Sequence, residues 1–324
     1  MKGVVQLSLA LLGIAGSALW AAPARAEFPE RAIRIIVPFA SGGATDLIAR
    51  TIAAEVAPKL GQPVIIENRA GAGTIIGTEA VVRATPDGYT LLFNSGALAI
   101  DLSYRKEQTY DVRKDLIPIT KVAWGPFAVL VNPSVPAKTF PELVDYAKKN
   151  PGKLNMGSSG NGTMIHLASA YMASRTGMTL VHVPFKGAGP ALVGILGGQI
   201  EVLLDPPFTS KAAIGSGKVA ALAVTGDKRS SLLPDVPTIA ELGYPGFKAG
   251  HWGGFFAPAG TPDAIIRKLN AEFNAALKSP KVQDVLLGQG LEIIGNSPEQ
   301  FKAEIDEEVA LWAKIIKDAK LAPE

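Results

Sequence analysis

The sequence predicts an α/β fold of two lobes, with open, mostly parallel sheets carrying helices on both faces. Short runs rich in branched apolar residues alternate with helical patterns along most of the chain. Glycine- and hydroxyl-rich turns follow several of those runs, where a strand would bend into its helix. No Ser/Gly linker separates two halves of a chain long enough for two domains. Strands that cross between lobes, and so form a hinge, are the expected connection.

The N-terminal residues stand apart from this fold. Lys2 gives a positive start, an apolar stretch runs from Val4 to Trp20, and "ARA" ending at Ala26 matches a small-x-small cleavage site. Residues 1–26 are therefore expected to be a signal peptide, cleaved after Ala26 to release a chain starting at Glu27 into the periplasm. A membrane anchor fits less well, because Gly13, Gly16 and Ser17 interrupt the apolar run. The chain has no cysteine, which removes disulfides and a thiol-linked lipid anchor together. Its formal charge of +3 falls to +1 once Lys2 and Arg25 leave, too weak a field to suggest nucleic acid as a partner.

The elements follow in order. "IRIIVPF" reads as the first strand, and "DLIARTIAAEVAPKL" as a helix that Gly61 stops. "PVIIENR", "YTLLFN", "PFAVLVN" and "VLLD" are further strands bounded by Gly, Pro or Asn. Thr139 with Glu142 and Ser297 with Gln300 have capping-box spacing. Thr261-Pro262 and Ser297-Pro298 each place a proline just inside a capping residue. In the last helix Phe301, Ile305, Val309, Trp312 and Ile316 form one apolar stripe, expected in the core.

The chemistry concentrates in four turns: "FASGGATD", "NRAGAGTIIGTEA", "MGSSGNGTMIHLA" and "PFKGAGPALVGILGG". Glycine at such a bend lets a ligand approach the backbone, and the first free N–H groups of the helix point beyond the strand, a ready seat for an anion. "GAGTIIG" misses the dinucleotide spacing by one residue, and neither a phosphate-binding loop nor a G-x-S-x-G nucleophile elbow occurs. His166, His182 and His251 are far apart in sequence with no metal-ligand spacing. His166 is either a pocket-lining group or a satisfied polar group near the core. His251 stands beside Trp252, whose ring is core or cleft wall. Asp205 ends a strand, where a carboxylate either faces a ligand or caps a turn. Asp46, in the first turn of its helix, is expected chiefly to complement the helix dipole.

These stretches, with "VPFASGGATDLIAR", "DGYTLLF", "LAVTGDKRSSLLPDVPTIAELGYPGF" and "APAGTP", resemble the substrate-binding proteins of tripartite tricarboxylate transporters, the Bug or TctC-like receptors, from Phe28 to about Ala322. The resemblance implies a Venus-flytrap protein without catalytic activity, cofactor or metal. One lobe would comprise 27–124 plus 250–324 and the other 125–249. It further implies that the protein is a monomer, binds a small carboxylate and delivers it to the membrane permease subunits. Carried onto this chain, the ligand-binding set is Phe39, Ala40, Ser41, Gly42, Gly43, Thr45 and Asp46 on one side. Ser158, Ser159, Gly160 and Thr163 face them, with Lys186 and Gly187 in a further wall; His166 and Asp205 are added as candidates on their own positions, just inside a helix and at a strand end. "DLSYRKEQTY" and "LLDPPFTS" are where ligand identity would be set. A sensor feeding a signalling system, or an exported enzyme with nucleophile and base in one cleft, are the alternatives. The two main turns contain no Lys or Arg, so N–H groups and hydroxyls, not a side-chain cation, are expected to hold the anion.

Overall fold

The structure is a computed structural model that describes residues 28–107, 109–319 and 321; the expected signal peptide and its cleavage site lie outside the described residues. Among the described residues eleven strands form two sheets. The first contains β1 (Ile33–Val37), β2 (Val64–Asn68), β3 (Thr90–Ser95), β4 (Leu116–Pro126), β10 (Gly250–Pro258) and β11 (Glu292–Ile293). The second contains β5 (Ala128–Val131), β6 (Asn155–Ser158), β7 (Val181–Pro184), β8 (Val202–Asp205) and β9 (Ala220–Val224). The α/β architecture, with helices on both faces of each sheet, is as the alternation of patterns predicts.

One strand order serves both sheets. In the first it is β2-β1-β3-β10-β4, with β11 added at the edge, and in the second it is β7-β6-β8-β5-β9. Each sheet has a parallel trio centred on β1 or β6, extended by antiparallel strands. The chain leaves the central strand of each trio toward one side and returns on the other. The switch points therefore lie between β1 and β3 and between β6 and β8, the crevices where open α/β sheets take ligands.

Register shows that the two crevices face each other. Gly253 pairs with Ser95 and Gly250 with Pro126, so β4 exits the first sheet at the edge where β3 ends. Across the single residue Phe127, β5 enters the second sheet with Ala128 opposite both Asp205 and Val224. Both crossings thus join the carboxyl edges of the two trios. Thr225, wholly buried, ties them: its hydroxyl accepts the Phe127 N–H at 2.8 Å and donates to the Ala249 carbonyl at 2.6 Å.

The helix Ala44–Leu60 ends at Gly61, whose left-handed φ of 66° suits glycine. Ser297 and Gln300 make the full capping box, and Phe301, Ile305, Val309, Trp312 and Ile316 are all buried. That C-terminal helix packs on the helix Ala97–Tyr104 and on β4, and reaches the second lobe's helix Met164–Thr176. One expected cap is displaced. Pro262 itself occupies the cap position of the helix Asp263–Ala276, because the Thr261 hydroxyl turns back to donate to the Pro258 carbonyl. Among the described residues no helix is long and apolar enough to cross a membrane.

Candidate functional site

The first turn is braced from behind. Asp46 is buried, and its carboxylate accepts the Gly42 N–H at 2.9 Å, the Arg50 Nε at 2.9 Å and the Asn68 amide at 2.9 Å. Burial pushes its pKa up, but the bonds from Arg50, Gly42 and Asn68 together hold it below the usual carboxylate range. Asn68 also donates to the Phe39 carbonyl at 3.1 Å, fixing both ends of the bend. Asp46 therefore shapes the turn instead of facing outward. Ala40–Ala44 are exposed, and Gly43 caps the helix without a side-chain bond. Among the described residues the N–H groups of Ala44, Thr45 and Asp46 have no acceptor, and the Ser41 and Thr45 hydroxyls have no partner. A helix start with free donors and no cation is an anion seat.

The second turn is stitched to itself. Ser158, wholly buried, takes the Gly160 N–H at 3.2 Å, and its Oγ lies 2.6 Å from His182 Nε2. Thr163 donates to the Gly160 carbonyl at 2.8 Å and caps the helix Met164–Thr176 through the His166 N–H. His166 Nδ1 accepts the Gly162 N–H at 3.1 Å, and its ring stacks on His182 at 3.9 Å. Far apart in sequence, the two histidines become one bracket for the turn. Burial, then the neighbouring His182, lowers the His166 pKa to about 4, and burial lowers that of His182. Ser158 and His182 are a serine–histidine pair in hydrogen-bond contact. The serine's complete burial nonetheless makes the pair a brace that presents no nucleophile to the cleft.

The remaining predicted residues divide. The Gly187 N–H donates to the Ser159 carbonyl at 3.2 Å, which joins this turn to the second one, while the Lys186 side chain is exposed. Asp205 is buried at the end of β8; Thr209 donates to its Oδ2, and burial raises its pKa to about 6. Sequence reasoning passed over the turn after β3. There a Cβ on Gly96 would fall 2.3 Å from Met164 Cε, and one on Gly162 would fall 2.5 Å from the Tyr104 ring. At this point the first lobe and the second turn are in contact. A single glycine in "NSGA" is too weak a signal to have found it.

A cavity of about 190 Å³ opens between the lobes, lined by Thr45, Ile48, Phe93, Phe208, His251 and Trp252 among others. Among the described residues its lining includes no Lys, Arg, Asp or Glu. Burial lowers the His251 pKa to about 4, which leaves the ring neutral near pH 7. Trp252 is anchored by its Nε1 donating to Glu308 at 2.7 Å, so this ring is both core and wall. Phe208 comes from "LLDPPFTS", one of the two stretches expected to set ligand identity, while Ile48, Phe93 and Gln289 were not anticipated, since only the folded chain brings them together. A larger cavity, about 440 Å³, lies on the reverse of the crossing strands by Lys121, Trp124 and Trp312, and touches none of the turns.

Against known proteins, the family model described as TctC, "Tripartite tricarboxylate transporter family receptor", matches residues 48–321. Protein BugT of Bordetella pertussis is 38% identical over 314 residues, covering 96% of this chain and 96% of BugT. The structure of periplasmic binding protein BugD is 37% identical with a TM-score of 0.78, covering 92% of this chain and 100% of that one. Rpa4515 of R. palustris, solved with adipate, is 34% identical with a TM-score of 0.81, covering 92% and 100%.

Proposed function

The chain belongs to the tripartite tricarboxylate transporter family of receptors, and on that premise we propose how it holds its cargo. As a solute receptor of this family it takes a small carboxylate for a membrane permease. One carboxylate group sits on the free N–H groups of Ala44, Thr45 and Asp46, with the Ser41 and Thr45 hydroxyls beside it, and the rest of the ligand fills the adjoining interlobe cavity. That unpaired helix start, opening on a cavity without a charged side chain, is the observation that carries the reading.

Phe39, Ala40, Gly42 and Gly43 give this seat its backbone, with Asp46 as its brace. The second turn, through Ser158, Ser159, Gly160, Thr163 and His166, is the opposing frame, continued by Lys186 and Gly187. The mature protein, cleaved after Ala26 and free in the periplasm as a monomer, binds its ligand and releases it chemically unchanged. Closure turns on the crossing at Phe127 and Thr225, because a ligand touching both carboxyl edges favours the closed state.

A thermal-shift screen of carboxylates tests this. A ligand at about a hundred times its Kd adds roughly 2.7 kcal/mol of stability. Stabilisation by carboxylates, with the compound recovered intact, is the expected result. Stabilisation only by neutral or cationic compounds would overturn the reading.

A further inference from the structure

Two helices start at the cleft cavity, one from each lobe, and they are built oppositely. The helix Ala44–Leu60 presents free N–H groups, and Ala44 and Thr45 line the cavity. The helix Pro207–Gly215 enters through Pro206 and Pro207, neither of which has an N–H, and the Thr209 N–H is spent on the Pro206 carbonyl at 3.1 Å. The Asp205 carboxylate is buried at that same start, held by the Thr209 hydroxyl, and so occupies the positive end of this helix itself. What the second lobe shows to the cavity is Pro206 and the Phe208 ring.

The rest of the lining is equally poor in charge. Among the described residues it holds no Lys or Arg, and the Ser158–Thr163 turn contributes no residue to it. Arg50, the basic residue nearest to the seat in sequence, is bonded to Asp46 and Asn68. The Trp252 ring N–H is spent on Glu308, and burial keeps His251 neutral near pH 7. Ile48, Phe93 and Leu291 add apolar surface. A second ionised carboxylate entering this space would lose its water with neither a cation nor a helix start to replace it, whereas an apolar body gains by burial there.

We propose that the cargo is a monocarboxylate with an uncharged, largely apolar body seated against Phe208 and Trp252, and that the proline-led helix start of the second lobe excludes dicarboxylates. This rests on the first turn being the carboxylate's seat. It sets the chain apart from the relative solved with adipate, whose ligand has a carboxylate at each end.

Calorimetry at pH 7.5 on the mature protein decides it, with pairs of acids of one skeleton that differ by a second carboxylate. The pairs are butanoate with succinate, hexanoate with adipate, and benzoate with benzene-1,4-dicarboxylate. In every pair with measurable binding the monoacid should bind at least about tenfold tighter. Phe208→Ala should weaken the best monoacid by about tenfold, because part of its body loses an apolar wall. Gln289 lines the cavity and is only half-buried, so Gln289→Lys brings a cation to the lining; dicarboxylate affinity should rise by about tenfold and the gap should narrow. A dicarboxylate that equals or beats its monoacid in the wild type, an undiminished gap in folded Gln289→Lys, or unchanged affinity in folded Phe208→Ala would each overturn the proposal and leave the seat standing. If neither variant folds, the wild-type ranking alone decides. Should none of the acids bind, the carboxylate seat fails and this inference falls with it.

Discussion

The turn at Phe39–Asp46 and the turn at Ser158–Thr163 occupy equivalent places, each after the central strand of a parallel trio and before a helix. Both are glycine-rich and both carry hydroxyls, yet their donors go to different uses. In the first, a buried carboxylate grips the loop from behind and the helix N–H groups stay free. In the second, Ser158, His166 and Thr163 accept the Gly160, Gly162 and His166 N–H groups, and among the described residues only the Met164 and Ile165 N–H groups of that helix start are left without an acceptor. Composition makes a bend, but the brace decides whether the bend binds or frames. An Asp in the first turn of the helix leaves the Ser41 and Thr45 hydroxyls free beside the helix start, whereas in the second turn the Thr163 hydroxyl is spent on the cap and on the Gly160 carbonyl.

The sharpest test places the same charge in both turns. Gly43 has ordinary extended backbone angles, and a Cβ there would meet only the Ala40 carbonyl at 3.7 Å, so Gly43→Asp fits without strain. Asp is also a better cap than Gly by a few tenths of a kcal/mol. The variant should therefore melt no lower than the wild type and yet lose affinity by about a hundredfold or more, because its own carboxylate takes the ligand's donors. Thr163→Asp merely exchanges one good cap for another and should cost much less affinity. Calorimetry and thermal melts on both variants check this; equal losses would erase the distinction between seat and frame.

Next in size is Asp46→Ala. It removes the acceptor for the Gly42 N–H, the Asn68 amide and Arg50 at once, which should cost about 1–3 kcal/mol of stability. Because the folded pKa of Asp46 is depressed, its contribution is present above the unfolded value, about 3.9, and is lost as pH falls through the folded pKa. Denaturant melts at pH 7 and pH 3 should therefore show a larger gap between wild type and variant at pH 7. A constant gap would mean that the brace is not electrostatic.

Much of this was legible in the sequence, for local reasons. Gly61, the Ser297–Gln300 box and the apolar stripe of the last helix act through neighbours within one turn, as did the strand-then-glycine pattern of the first turn. What the sequence hid depends on partners far away in the chain. β10 looks like a glycine-rich wall because Gly250, Gly253 and Gly254 lie under the rings of Trp124, Phe93 and Phe301. The commitment of the Ser158 hydroxyl needs His182, and the cavity needs Phe93 and Phe208 from opposite lobes. A hydroxyl in a turn reads the same whether it is free or spent.

Acid should separate the two turns by a smaller effect. The second turn needs a neutral His166, whose Nδ1 accepts the Gly162 N–H while its ring lies between Tyr104 and His182. With the folded pKa lowered to about 4 against an ordinary 6.5, the unfolded chain binds more protons between these values. Stability on this account falls as pH falls from about 6.5 to about 4 and is flat outside that window. Asp205 acts in the opposite sense, since its folded pKa is raised to about 6, and stability from this group grows as pH falls from about 6 to about 3.9. Hydrogen exchange at pH 7 and pH 5 should show the Gly162 amide losing protection while the Gly42 amide, held by Asp46, keeps it. Loss at both amides together would mean that the turns open as one unit.

The smallest effect belongs to Lys186→Gln. Lys186 is exposed at the start of the turn whose Gly187 N–H is bonded to the Ser159 carbonyl, so its backbone belongs to the frame while its ammonium stays in water. A charge in that setting attracts an anion only through high dielectric and salt, and contributes about 0–1 kcal/mol at most. Affinity should drop by less than about fivefold at low salt, and the difference should fade when ionic strength is raised to about 1 M. The free N–H groups of Ala44 and Thr45 are part of the backbone and remain in place. Titrations of wild type and variant at both salt concentrations measure this. A complete, salt-resistant loss would mean that a side-chain ion pair holds the ligand after all and that the second turn, not the first, is the seat.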